Sequence, residues 1–333
     1  MLNKHKYSDP IKGLLVAGIC FAASASQAMA LGQVVEYTSS PDSQADIIID
    51  TRSAALCEKA SSQEARCLPA LDFFGPHKRL ANFSGVLWLL GTAGLTGNEH
   101  VLIVGNKSTD KEAMAGLLFI VGQQKISILR PAIVSLKESQ LSRGVTRSKS
   151  REEIYQTTMR SNRIILRDDL IKIVRNASAP AIFDGRKENE YWGQSARAQR
   201  GGHVPGAQHM PAGSVELSNT GRLSSLSNPD KLPVSYAHNA YEGLTYLARL
   251  EASGIKTRLY LEGWAGWASD GALPADSVTY PDRAQRLQKT NVVASTELSG
   301  KFSWFEYSGL GIGGVALAIG GFFFGRTMSG ARG

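Results

Sequence analysis

One pattern of residues occurs twice in this chain, and that repetition constrains the fold more than any single motif. Ile47-Ile-Ile-Asp-Thr-Arg52 reads as a short buried strand ending in Asp-x-Arg. About 50 residues later a second apolar strand, Val101-Leu-Ile-Val104, runs into the loop Gly105-Asn-Lys-Ser-Thr-Asp110. A helical stretch follows over 111–121, with Met114, Leu117, Leu118 and Val121 on one face, then Gly122 as its stop and the strand Ile126-Ser-Ile-Leu129. The same order returns downstream. Ala181-Ile-Phe-Asp-Gly-Arg186 ends in Asp-x-Arg, and a short helix precedes it over 168–174. Val234-Ser-Tyr236 is the next strand, 241–252 the helix, Gly254 the stop and Thr257-Arg-Leu-Tyr-Leu261 the closing strand. Strand, loop, helix, strand is the signature of α/β folds with parallel sheets.

The ends of the chain read differently. Lys4, Lys6 and Lys12 precede an apolar run over 13–23, and Ala28-Met-Ala30 offers small residues at a cleavage site, so residues 1–30 are expected to be a secretory signal peptide. Residues 309–325 are uncharged and span roughly 26 Å as a helix, enough for a thin hydrocarbon core. Trp304, Phe305 and Tyr307 stand where an interfacial aromatic belt belongs, and Arg326 and Arg332 follow. The expected order is a degenerate α/β domain at 45–131, a basic linker at 132–167, a second domain at 168–275, a stalk at 276–303, a transmembrane anchor at 304–325 and a cytoplasmic tail at 326–333. The body would then face the periplasm or another extracytoplasmic space from the inner membrane of a cell envelope. Removal of the span as a sorting signal stays open.

Charge excludes little. The formal charge is +8, and loss of residues 1–30 leaves 34 basic against 28 acidic residues. Lys137, Arg143, Arg147, Lys149 and Arg151 form a run that fits a solvated linker, and no nucleic-acid module is present. Cys57 and Cys67 are an even pair in an exported chain, so a disulfide is expected. The histidines and cysteines do not make a metal set, and no cofactor motif is present.

The second unit carries four landmarks in order: Asp184-x-Arg186 with Glu190-Tyr-Trp-Gly193, then Arg200-Gly-Gly-His-Val-Pro-Gly-Ala207, then the strand and loop over 234–243, then Glu262-Gly-Trp-Ala-Gly-Trp267. Together they resemble the rhodanese-like (thiosulfate sulfurtransferase) family, over 170–272 well and over 45–131 more faintly, since the first unit lacks the Gly-His-Val-Pro-Gly-Ala run. The pair is similar to tandem-domain sulfurtransferases. The resemblance implies a loop whose N–H groups wrap a cysteine sulfur at the N-terminus of a helix, which favours thiolate and persulfide. In this chain Ala237 stands at the cysteine position, Ala240 where a glycine is usual and Glu242 where a basic residue meets the anionic substrate. In the first unit Gly105 takes the cysteine position. Two like charges 5 Å apart repel by about 3 kcal/mol at an effective dielectric of 20, so Glu242 is expected to disfavour an anionic donor.

The expected function is therefore a catalytically inactive, membrane-anchored binding or scaffold module, possible in sulfur metabolism, recognising a small anion or a protein partner. Its candidate loops are Gly105, Asn106, Lys107, Ser108 and Thr109 in the first unit and His238, Asn239, Tyr241 and Glu242 in the second. Asp50, Arg52, Asp184, Arg186 and His203 are expected to support those loops. The alternative is an active sulfurtransferase or sulfur carrier using Cys57 or Cys67.

Overall fold

The structure is a computed structural model, and it describes residues 33–41, 44–176, 179–215 and 232–277. All of these lie in one compact unit, Met1–Thr279. The expected signal peptide, anchor and tail, and the stalk beyond residue 277, lie outside the described residues. Among the described residues, no helix is long and apolar enough to cross a membrane.

Thirteen strands are described, in three sheets. In chain order they are β1 (Val35–Thr38), β2 (Ile47–Asp50), β3 (Ser61–Ser62), β4 (Arg66–Cys67), β5 (His100–Val104), β6 (Lys125–Leu129), β7 (Leu141–Ser142), β8 (Val145–Thr146), β9 (Ile164–Ile165), β10 (Ile182–Asp184), β11 (Ala207–His209), β12 (Val234–Tyr236) and β13 (Arg258–Tyr260). The first sheet runs β1-β6-β5-β2-β4-β8 and the second β11-β10-β12-β13-β9, both parallel throughout. β3 and β7 form a small antiparallel pair. Read from β9, the second sheet repeats the first five strands of the first sheet in the same order. Continuous apolar runs such as Val101–Val104 suit this arrangement, because strands covered on both faces have no solvent side to alternate toward.

The helices are α1 (Ala54–Lys59), α2 (Phe83–Thr92), α3 (Ser108–Ile120), α4 (Arg167–Val174), α5 (Glu188–Tyr191), α6 (Ala240–Ala252) and α7 (Gly263–Ala268). α3 links β5 to β6, and α6 links β12 to β13. These two crossover helices pack on each other, and Met114, Leu117 and Leu118 share one core with Leu244, Leu247 and Ala248. The apolar face expected at Met114, Leu117, Leu118 and Val121 is therefore only part of what α3 buries. Every residue from Lys111 to Ile120 is buried, because the helix lies between its own sheet and its counterpart.

Three expected boundaries need correction. The first domain, expected to begin at residue 45, begins earlier, since β1 pairs with β6 and places Val35 in the core. The stretch 132–167 is not a separate linker but part of the fold, although Lys137, Arg143, Lys149 and Arg151 of its basic run are exposed as expected. β8 extends the first sheet and β9 closes the second, while Tyr155 enters the core and Arg163 is buried. Arg160 and Arg163 both lie over the Phe119 ring, at 4.7 and 5.0 Å, so their basic side chains pack rather than project. The start of the expected stalk is also tied down: Asp276 exchanges backbone hydrogen bonds with His203.

Candidate functional site

The loop that joins β12 to α6 is built from the strand end outward. Tyr236 is fully buried, donates a 2.6 Å hydrogen bond from its hydroxyl to Asp184 Oδ2 and accepts one from Val204 N–H. Asp184 in turn accepts from Arg186, through Nε at 3.0 Å to Oδ1 and Nη2 at 2.6 Å to Oδ2. Arg186 reaches on to Gly202 O at 2.7 Å and lies 4.8 Å over the Trp264 ring. Burial alone would lower the Arg186 pKa, but the Asp184 hydrogen bond and charge outweigh it and hold the guanidinium above its ordinary value. One buried ion pair thus joins the Asp-x-Arg turn, the Gly-His-Val-Pro segment and the tryptophan helix.

His203 supports that frame rather than a reaction. Its ring stacks on Tyr191 at 3.8 Å, and Nδ1 lies 2.8 Å from Tyr191 O. The first unit repeats the device: Arg52 Nη2 donates to Asp50 Oδ2 at 2.6 Å and to Ala60 O, with Ser61 Oγ where the second unit uses the Tyr236 hydroxyl.

Ala237 is buried, and its carbonyl accepts from Trp264 N–H at 2.8 Å; His238 O accepts from Ala265 N–H at 2.8 Å. Gly263 makes this closure possible. Its φ is +62°, and a Cβ there would stand 2.6 Å from Ala237 O. The loop carbonyls are thereby turned toward α7. On the other side Asn239 caps α6, its Oδ1 accepting from Glu242 N–H at 3.0 Å. His238 is buried and, among the described residues, its Nδ1 has no hydrogen-bond partner. Burial, then the nearby Arg197 charge, push its pKa below the ordinary 6.5.

Glu242 differs from the expectation of an open negative charge. Arg197 grips it with two hydrogen bonds, at 2.6 and 2.9 Å, and also binds Glu190 at 2.5 Å. Two carboxylates share one guanidinium, so the local balance stays negative but the Glu242 charge is matched directly. Tyr241 also differs from the expectation of an open loop residue: it is half-buried and its hydroxyl donates to Asp110 Oδ1 at 2.5 Å, in the seam between the two sheets' helices. Thr109 is exposed as expected, and only its carbonyl reaches that seam, accepting from Thr245 Oγ1 at 3.3 Å.

In the first unit, Gly105 lies too close to its neighbours for a thiol. A Cβ there would sit 2.4 Å from Thr51 Oγ1. Asn106, Lys107 and Ser108 are exposed, and Asn106 Oδ1 accepts from Val134 N–H at 3.4 Å. Neither loop contains a sulfur atom. Cys57 and Cys67 are joined in a disulfide, both buried, with Gly144 laid against the sulfurs. Among the described residues no group of His, Cys, Asp and Glu could hold a metal ion.

A feature that the sequence reading missed lies beside the first loop. A cavity of about 250 Å³ opens between α3, the ends of β1 and β6, and α6. Tyr37, Ser108, Lys111, Glu112, Arg130 and Arg249 supply its polar wall. The one sequence signal was a Lys-Glu pair at the head of an otherwise apolar helix, and it carries no position without the partner helix.

Residues 166–270 match the family model described as a rhodanese-like domain. The chain therefore contains a rhodanese-like domain over these residues. It is 30% identical over 107 residues to a thiosulfate sulfurtransferase of Azotobacter vinelandii, covering 29% of this chain and 40% of that relative. It is 29% identical over 146 residues to a putative thiosulfate sulfurtransferase of Synechococcus elongatus, covering 43% of this chain and 44% of that relative. The matches thus span less than half the length of either relative. In fold, the chain is similar to wild-type EanB, with a TM-score of 0.58 at 15% identity over 72% of this chain and 66% of that one. It is also similar to a probable thiosulfate sulfurtransferase, with a TM-score of 0.50 at 22% identity over 69% of this chain and 96% of that one.

Proposed function

We propose that this rhodanese-like protein is a binding module that does not transfer sulfur. The observation that carries the reading is Ala237. It occupies the turn between β12 and α6 where the family resemblance places a nucleophilic cysteine, and its methyl group cannot form a persulfide. Gly105 supports the same reading in the first unit, where no side chain fits without a shift of Thr51. The shared strand order of the two sheets supports a tandem of rhodanese-like units, of which the first is the more degenerate.

In this reading the protein is exported by residues 1–30 and held by residues 304–325, with its body outside the cytoplasm. Its place in sulfur metabolism rests on the names of its relatives. The test incubates the purified chain with thiosulfate and cyanide and measures thiocyanate. No turnover above the blank is expected. Turnover that disappears in Cys57→Ser or Cys67→Ser would establish the sulfurtransferase alternative instead. Membrane fractionation of cells with and without residues 304–333 tests the anchor, and loss of the chain from the membrane fraction on truncation is expected.

A further inference from the structure

We infer that the cavity between α3 and α6 is a binding site for a small tetrahedral oxyanion, with Arg130 as its principal ligand. This rests on the reading of the chain as a binding module and names the site and ligand class.

The charges that face the cavity do not balance. Lys111, Arg130 and Arg249 are basic and Glu112 alone is acidic, which leaves an excess of two positive charges. Glu112 is already committed: it accepts from the Tyr37 hydroxyl at 2.8 Å and pairs with Arg249 at 2.8 Å. Arg249 is committed in turn to Glu112 and to Ala212 O. The uncompensated charges are therefore those of Lys111 and Arg130.

Lys111 acts through its field. Its buried Nζ donates to the carbonyls of Leu129, Arg130 and Pro131. Three acceptors need three N–H donors, and only the protonated ammonium has three. The charge is thus fixed in the wall while its hydrogen-bonding capacity is filled. Arg130 is the reverse. Its guanidinium lies 4.8 Å over the Tyr37 ring, which orients its plane but uses none of its N–H groups. Among the described residues no carboxylate pairs with it. An oriented guanidinium with free donors, beside a fixed buried cation, matches an oxyanion's geometry. Ser108, exposed at the first position of α3, adds a hydroxyl on the same wall. The volume, about 250 Å³, is smaller than that of ordinary drug-sized pockets, about 300–1,000 Å³, and suits a compact ion.

The experiment titrates sodium sulfate, and separately sodium phosphate, into the detergent-solubilised full chain by calorimetry at constant ionic strength, with acetate and chloride as controls. Saturable binding of one tetrahedral anion per chain is expected, tighter than acetate or chloride. Arg130→Gln should weaken it by about tenfold or more, since it removes a charge-assisted contact. Lys59→Gln, exposed on α1 and outside the cavity wall, should leave it unchanged. The inference is overturned if neither anion saturates by about 10 mM, if Arg130→Gln binds like the parent, if Lys59→Gln removes binding, or if chloride binds as tightly as sulfate. The outcomes separate from those of the thiocyanate assay. Turnover would sink the non-transfer reading and leave the anion site standing, and an inert Arg130 would do the opposite.

Discussion

Gly116 on α3 faces the backbone of Leu244 on α6 so closely that a Cβ at Gly116 would stand 2.2 Å from Leu244 O. Alanine normally gains about 1 kcal/mol over glycine inside a helix. Here the contact is with backbone, which cannot rotate away, so the helices must separate. Gly116→Ala is expected to lower stability by about 1–3 kcal/mol net. Urea unfolding measures it, and an unchanged or higher midpoint would contradict the packing.

The disulfide closes a short loop, with ten residues of sequence separation. The chain-entropy model gives about 2–3 kcal/mol for a closure of that length. Cys57→Ser should lose about that much stability in urea, and reduction of the parent should lose the same. Equal midpoints for oxidised and reduced protein would show that the bond does not hold this segment.

Ala237 sits at the head of a 13-residue helix, where backbone N–H groups and the helix dipole favour negative charge. A cysteine introduced there is expected to titrate below the ordinary thiol value of about 8.5. The rate of alkylation by iodoacetamide against pH reads this directly in Ala237→Cys with Cys57 and Cys67 left bonded. A midpoint at or above the ordinary value would mean that the turn no longer favours a thiolate.

Burial raises the Glu242 pKa, and the hydrogen bond and charge of Arg197 more than offset this, leaving the carboxyl below its ordinary 4.5. A carboxyl depressed in the folded state contributes stability that is whole above the unfolded value and is lost as pH falls through the folded one. Glu242→Gln should therefore flatten the decline in stability below pH about 4.5. Unfolding curves of the two proteins that lose stability in parallel from pH about 5 to about 3 would refute it.

His238 has the opposite charge logic. Its folded pKa is depressed, mainly by burial, so the ring should stay neutral at pH 6.5 and charge only below it. Stability tied to this ring is complete above the unfolded value and falls as pH drops through and below 6.5. NMR titration of the ring protons should give a midpoint under 6.5; a midpoint above it would mean that the Glu242 and Glu190 carboxylates outweigh burial and the Arg197 charge.

Much of this architecture was legible in the chain. The apolar run at 101–104 marks its strand with little ambiguity, because buried parallel strands announce themselves by composition, while Val234-Ser-Tyr236 is readable only as its counterpart in the repeat. Gly122 and Gly254 were readable as helix stops and adopt φ of +104° and +74°. β1 escaped because Glu36 and Thr38 interrupt its apolar residues, and only pairing with β6 identifies it. The 132–167 stretch misled because its exposed basic run reads as a linker, whereas Arg160 and Arg163 beyond that run lie over Phe119 and β8 and β9 join the two sheets. At the site, Ala237 and Glu242 could be placed from motif order alone. Arg197 could not be matched to Glu242 across 45 positions, and Lys111 could not be matched to carbonyls 18 to 20 positions away. Such partners are set by how the strands fold back, and local spacing holds no record of them.

The shared core of Met114, Leu117, Leu244 and Leu247 has a consequence for how this protein can be handled and how it can change. The segment that relatives have in common, 166–270, is shorter than the segment that stands by itself. Expressed alone, it would carry Leu244, Leu247 and Ala248 as a greasy stripe facing water. The first half therefore serves as the cover for an apolar face of the second, and trimming the chain to its family-matched segment would strip that cover away.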